Sequence, residues 1–274
     1  DLFDCEYWSL EQAKLGKGAP PKFQGKVVMI TGGSGTIGFA IAKAFSKLGA
    51  QTILVDKDEI ALKESVTKLG VGHKYFPIDV THSDAANQAL LAAINNFGGL
   101  DILISNAGAA HAGPMLDISN EELRNAFELN FFSHYSFSTE AAKILKDQNR
   151  GGQILFNISK QAVNPGKNFG AYGLPKATTF FLMRQLALEL GSDGIRVNGI
   201  NADRIRSGLL TDDFISSRAK SRGVSESEYM AGNLLNKEVT AEHVADAFTA
   251  LACAESTTGH VMTVDGGNIE ASLR

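Results

Sequence analysis

Tyr172 and Lys176, four residues apart, are the pair in this chain best suited to moving a proton. Of the five tyrosines only Tyr172 has a lysine at that spacing, and residues i and i+4 share one helix face. A phenol with a pKa near 10 is a poor base at neutral pH, but nearby cations stabilise its phenolate. A downward shift of about three units corresponds to roughly 4 kcal/mol, which two cations in a partly dry site can supply. Ser159 closes an apolar run thirteen residues earlier. Its hydroxyl can hold a substrate oxygen while Tyr172 takes or gives the proton, although alone such a serine is an ordinary turn residue.

A second constellation lies near the start. Thr31-Gly32-Gly33-Ser34-Gly35-Thr36-Ile37-Gly38 follows an apolar run and opens a helical pattern. Gly33, Gly35 and Gly38 fit the G-x-G-x-x-G spacing, in which a helix N-terminus offers backbone N–H groups to a pyrophosphate and side chains would block its approach. A glycine-rich surface turn is the alternative. Asp56 ends the next apolar run eighteen residues after Gly38, where a carboxylate accepts hydrogen bonds from an adenosine ribose and repels a 2′-phosphate. NAD is therefore expected over NADP, with Lys57 offsetting part of that repulsion. Asp79, ending the third run, is a weaker candidate for the adenine ring.

These groups need a scaffold. Short apolar runs alternate with segments of helical period, which predicts a Rossmann-type, doubly wound, seven-stranded parallel sheet with helices on both faces. Strands are expected near Val27 to Thr31, Thr52 to Asp56, Lys74 to Asp79, Asp101 to Ser105, Gln153 to Ile158, Arg196 to Asn201 and Val261 to Val264. All are uniformly apolar, as strands covered on both faces should be. Helices are expected near Ile37 to Leu48, Glu59 to Leu69, Asp84 to Phe97, Asn120 to Lys146, Tyr172 to Leu190 and Ala241 to Ala254. Residues 1–22 read as an extension with a short helix over Tyr7 to Leu15, and 23–274 as one nucleotide-binding domain. The long connection from Asp203 to Glu238 carries Arg204, Arg206, Arg218, Lys220 and Arg222, and such a stretch in a compact domain usually serves as a lid or binding loop.

Composition narrows the class. The 274 residues hold 26 Lys and Arg against 30 Asp and Glu, a net charge of −4, which excludes a strongly basic nucleic-acid binder. At 44% hydrophobic and 20% charged residues the chain is that of an ordinary globular protein. No apolar run is long enough for a membrane span, the acidic start is unlike a signal peptide, and Cys5 and Cys253 lack metal or redox spacing, so a reducing, cytoplasmic setting is expected. The six histidines show no metal-ligand spacing. His111, after the fourth strand, is a candidate to face the substrate, with a solvated loop residue as the alternative.

With these motifs in order, the sequence resembles the short-chain dehydrogenase/reductase family over residues 23–274. The resemblance rests on the glycine loop, Asp79-Val80, Asn106-Ala107-Gly108, Asn130, Ser159, Tyr172-x-x-x-Lys176, Arg196-Val197-Asn198 and Val264-Asp265-Gly266-Gly267. It implies that Tyr172 is the acid/base, that Lys176 lowers its pKa and binds the nicotinamide ribose, that Ser159 positions the substrate, and that Asn130 holds a water linking Lys176 to solvent. Asn106 to Gly108 would line the adenosine side of the cofactor. It also implies a homo-oligomer, a tetramer or else a dimer, built by the long helices. Three departures stand out: Thr36 occupies a usual glycine position, Ser105 replaces the first Asn of Asn-Asn-Ala-Gly, a change expected to matter little, and Ala202-Asp203 replaces a Pro-Gly that contacts the nicotinamide amide.

Glu6 to Leu15, Asn201-Ala202-Asp203 and Val264 to Ile269 further resemble the dehydrogenase part of fused class II aldolase/short-chain dehydrogenase proteins of sugar catabolism, and the start at Asp1 fits a piece of something longer. That implies a sugar, a polyol such as sorbitol 6-phosphate, or a related phosphate as substrate, with Arg204 and Arg206 as candidate anion ligands after the sixth strand. Two readings compete: a reductase of 3-oxoacyl thioesters, which would prefer NADP, and a regulatory nucleotide-binding protein without catalysis.

Overall fold

Valine, isoleucine and leucine dominate the strand cores, and their side chains alternate between two apolar layers. The computed structural model describes residues 20–110 and 112–268. Seven parallel strands lie in the order β3-β2-β1-β4-β5-β6-β7: β1 Val27–Thr31, β2 Gln51–Asp56, β3 Lys74–Pro77, β4 Ile102–Ser105, β5 Gly152–Asn157, β6 Ile195–Ala202 and β7 Val261–Val264. Val28 pairs with Thr52 on one side and Ile102 on the other, which sets β1 at the centre. Chain order reverses between β1 and β4, the point at which open parallel sheets take ligands beyond their carboxyl ends.

Helices α1 Thr36–Lys47, α2 Glu59–Leu69 and α9 Ala241–Cys253 contribute to one layer, in which Ile41, Phe45, Leu62 and Phe248 meet Val28, Ile30 and Leu54. The opposite layer joins α3 Ala85–Phe97, α5 Ser133–Gln148 and α6 Gly170–Leu190 to Met29, Ile53, Leu103, Phe156 and Val197. Burial of this kind, at about 25 cal/mol per Å² of apolar surface, holds both layers onto the sheet. No helix among the described residues is long and apolar enough to cross a membrane.

Four expectations need correction. The helix expected over Asn120 to Lys146 is broken into α4 Asn120–Phe127, a π-helical turn Glu128–Phe132, and α5. The break has a local cause, since the Asn130 side-chain amide donates to the Ala126 carbonyl at 3.1 Å and competes for the ladder there. Strand β3 lies at the sheet edge and has no fully buried residue, with Tyr75 and Phe76 half-buried between exposed Lys74 and Pro77, unlike the covered strands. It also stops at Pro77, so Asp79 lies beyond it. The expected connection from Asp203 to Glu238 contains α7 Asp212–Arg222 and α8 Glu226–Met230, which share a small core of Leu210, Ile215, Ala219, Tyr229 and Met230. The helix expected over Tyr7 to Leu15 lies outside the described residues.

Candidate active site

The carboxyl ends of β1, β2 and β4 to β6 open into one cavity of about 1270 Å³. Gly32, Gly35, Thr36, Ile37 and Gly38 line its β1 end. Gly32 has φ +64°, and a Cβ on Gly38 would run into the Gly32 carbonyl oxygen, so the sharp turn into α1 depends on both glycines. Gly33 and Ser34 do not reach the cavity wall. Gly33 packs on Leu54 with no room for a side chain, and Ser34 turns to Asp56, donating from its hydroxyl to Oδ2 at 2.7 Å.

Helix α1 has no side-chain cap at Gly35 and no acid in its first turn, so its leading N–H groups and positive end face the cavity uncompensated. That matches what a pyrophosphate requires. Asp56 and Lys57 line the wall at the end of β2, with Asp56 Oδ1 accepting the Lys57 N–H at 2.8 Å. Asp79 and Val80 line it next. The Thr81 backbone N–H and hydroxyl hold the Asp79 carboxyl below the usual range. Asn106, Ala107 and Gly108 follow. Asn106 staples the sheet edge: its side chain donates to the Thr31 carbonyl at 3.0 Å and accepts from Asn157 at 2.9 Å.

At the other end Ser159 follows β5 and caps a short turn by accepting the Gln161 N–H at 3.2 Å. Its hydroxyl lies close enough to the Tyr172 phenol to favour the phenolate. Lys176, only 2% exposed, lies one turn further along α6, with Nζ 5.8 Å from the centre of the Tyr172 ring and donating to the Asn157 carbonyl at 3.0 Å. Gly108 keeps this corner open, since a Cβ there would meet Asn130 Oδ1 and Lys176 Nζ. Asn130 does not line the cavity. The backbone holds its amide, which donates to Ala109 O at 2.9 Å, while the Thr179 hydroxyl donates to its carbonyl at 2.7 Å. Its Oδ1 is buried without a hydrogen-bond partner among the described residues.

Burial pushes the Tyr172 phenol up to about 12 against the opposing influence of the Ser159 hydroxyl, and pushes Lys176 down to about 7. The expected lowering of the tyrosine is therefore not a property of the ligand-free cavity, because desolvation outweighs a cation that is itself half discharged near neutral pH.

The long segment closes the substrate side. Ala202, Asp203, Arg204, Arg218 and Arg222 line the cavity, as does Lys160, which the motif reading did not single out. Asp203 accepts from Asn268 at 2.6 Å and pairs with Arg204 and Lys160, each at 3.6 Å. Arg204 is held by the Tyr229 carbonyl at 2.7 Å and lies over the Tyr229 ring. Arg206, expected as a substrate ligand, turns away: Glu238 at 2.7 Å and Asp212 at 2.6 Å engage it outside the cavity wall. The Arg218 guanidinium lies against both the Phe169 and the Phe214 ring, with Nε buried and lacking an acceptor among the described residues. His111 lies outside the described residues. His134 was also not singled out, although its spacing of four residues from Asn130 was a readable signal; its Nε2 lies 3.3 Å from Lys176 Nζ.

Comparison with known proteins bears on the family and the fold. A family model described as enoyl-(acyl carrier protein) reductase matches residues 33–268. An uncharacterized oxidoreductase of Bacillus subtilis, YuxG, is 34% identical over 97% of the chain, and the chain spans 41% of that relative's length. Among solved structures, L-sorbose reductase from Gluconobacter frateurii, complexed with NADPH and L-sorbose, superposes with a TM-score of 0.82 at 28% identity, covering 91% of this chain and 98% of that one. A 3-ketoacyl-(acyl-carrier-protein) reductase from Brucella melitensis, complexed with NADH, gives 0.80 at 26% identity, covering 90% and 99%. Neighbours with both NADH and NADPH agree with a nicotinamide cofactor for this fold. The chain belongs to the short-chain dehydrogenase/reductase family, oxidoreductases that act on alcohol and ketone groups.

Proposed function

We propose that this chain interconverts a secondary alcohol and its ketone on a sugar or polyol bearing an anionic group such as phosphate, with NAD as cofactor. The observation that carries the reading is that Ser159, Tyr172 and Lys176 line one cavity with the glycine turn, with Lys176 Nζ 5.8 Å from the centre of the Tyr172 ring. A bound nicotinamide supplies the carbon that accepts hydride from the alcohol. In oxidation the Ser159 hydroxyl holds the substrate oxygen, and the Tyr172 phenolate takes its proton as the carbonyl forms. Lys176 stabilises that phenolate and binds the nicotinamide ribose, and Asn130 Oδ1 faces the same corner beside Gly108. In reduction Tyr172 returns the proton.

Asp56 supports NAD, since a 2′-phosphate would meet its carboxylate; the solved neighbours, one with NADH and one with NADPH, do not decide the matter. Arg218 and Arg222 support an anionic substrate, and the sorbose reductase neighbour supports a carbohydrate one. Residues 23–274 act as one such domain. The chain's span of 41% of YuxG supports a place in a longer protein, which the mass of the natural protein tests; an aldolase as the remainder rests on the sequence resemblance alone. The exposed apolar side chains of α6, Leu174, Phe181 and Leu188, support a homo-oligomer.

The test is turnover followed at the nicotinamide absorbance with matched free and phosphorylated polyols, in wild type and Tyr172→Phe. Loss of about 10²- to 10⁴-fold in the Phe variant is expected. Wild-type turnover in a folded Phe variant removes Tyr172 as the acid/base. The ketoacyl reductase neighbour favours a second reading, a 3-oxoacyl-thioester reductase, which predicts turnover of acetoacetyl-CoA with NADPH exceeding that of any polyol with NAD. Nucleotide binding with no turnover on either panel points to a regulatory protein.

A further inference from the structure

His134 stands one helical turn after Asn130, is 1% exposed, and makes two side-chain contacts that the chemistry above does not use. Its Nδ1 lies 2.6 Å from Ser105 Oγ at the end of β4, and its Nε2 lies 3.3 Å from Lys176 Nζ. An ammonium can only donate, so beside a charged Lys176 the Nε2 atom is the bare, accepting nitrogen and Nδ1 carries the proton. Nδ1–H then has Ser105 Oγ as its acceptor, which fixes tautomer and ring orientation together. Two of the three ammonium N–H groups are thereby directed, one to Asn157 O and one to His134 Nε2, leaving the third for the cavity.

We propose that His134 is a positioning residue for Lys176: its neutral imidazole, oriented by Ser105, accepts a hydrogen bond from the ammonium and keeps it charged and aimed at the cavity that holds Tyr172. This rests on the reading of Tyr172 and Lys176 given above. The groups facing His134 are the Lys176 ammonium from α6, the Ser105 hydroxyl from β4, the Ala107 backbone just after β4 and the Phe156 ring from β5, with ring centroids 6.1 Å apart. Burial and the Lys176 charge hold the imidazole well below its ordinary range, so it remains an acceptor at every working pH. An ammonium in a desolvated corner with only one fixed acceptor sheds its proton more readily, and Tyr172 then loses the cation that makes it a base. Ser105, expected to be a swap of little consequence, is the group that orients this acceptor.

The experiment is the pH dependence of kcat for alcohol oxidation with NAD in wild type, His134→Leu, His134→Gln, His134→Asn and Tyr172→Phe. The acid limb of His134→Leu is expected to move about one unit alkaline, a tenfold loss below the limb, with KM for alcohol and NAD changed by less than about threefold. Gln brings an amide to the Nε2 position and is expected to return the limb, whereas Asn ends near Nδ1 and is not. A folded His134→Leu with the wild-type limb overturns the proposal. Where Leu does not fold, the Gln and Asn pair decides, and equal limbs in the two overturn it. Full activity of Tyr172→Phe defeats the underlying reading, whereas an inactive Tyr172→Phe beside unshifted His134 variants defeats only the role of His134.

Discussion

Lys176 holds its side-chain nitrogen 5.8 Å from the centre of the Tyr172 ring, and burial drives the two groups in opposite directions. Lys176 falls from 10.5 to about 7, so between those values the unfolded chain binds a proton that the folded one does not, and folding stability rises with pH across that window. Tyr172 rises from 10.0 to about 12, so above pH 10 the folded chain retains a proton that the unfolded one has lost, and stability falls. In cofactor-free protein, Lys176→Met is therefore expected to be more stable than wild type at pH 6, with the gain shrinking towards pH 10. Urea unfolding at three pH values checks this; a gain independent of pH contradicts the depressed lysine.

Asp56→Ala is expected to weaken NAD binding by about 1.5–3 kcal/mol, roughly ten- to a hundredfold, through loss of a charged hydrogen bond to the ribose. It should also narrow the preference over NADP. Titration of both nucleotides into wild type and variant measures this, and a wild type that already prefers NADP rules Asp56 out as selector.

Arg218 and Arg206 should separate cleanly. Losing the stacked Arg218 at the cavity wall is expected to lower kcat/KM for a phosphorylated polyol about ten- to a hundredfold and leave the free polyol nearly unaffected. Arg206→Ala should leave both substrates unchanged and cost at most about 1 kcal/mol of stability, because its ion pairs lie at the surface. Equal constants for the two substrate forms in every variant would reduce the basic cluster to a solvated face.

Leu174, Phe181 and Leu188 repeat every seventh residue along α6 and are 47%, 69% and 80% exposed. An apolar row of that kind on a long helix is suited to a second copy. Leu188→Glu is expected to lower the mass measured by light scattering at micromolar concentration, and a wild-type mass near 29.2 kDa would already reject the oligomer.

Strand pattern and motif spacing were legible wherever one period ruled the local chain. All seven strands were read within two residues at either end, the covered ones because their cores are apolar on both faces. The break at Asn130 was not legible, since helical period continues through it and only the amide contact to Ala126 O reveals the cause. The lid was readable as a site of function but not as α7 and α8, whose burial depends on each other more than on the sheet. Arg206 and Arg218 could not be told apart in sequence. Both are arginines in one loop, and the difference lies in Glu238 and Asp212 capturing the first while Phe169 and Phe214 hold the second.

The lid's private core has an evolutionary corollary. Ile205 and Val239, each 7% exposed, are anchored in the apolar layer beneath the sheet, while the cluster of Leu210, Ile215, Ala219, Tyr229 and Met230 between them packs on itself. Residues 206–238 thus form a cassette anchored at both ends and resting, through Phe214 and Arg218, on Phe169 at the start of α6. A segment of different length or composition that rebuilds the contact with Phe169 can be grafted between those anchors with Ser159, Tyr172 and Lys176 left in place after β5 and on α6. Substrate range can then drift by exchange of the cassette while the proton-transfer machinery stays as it is.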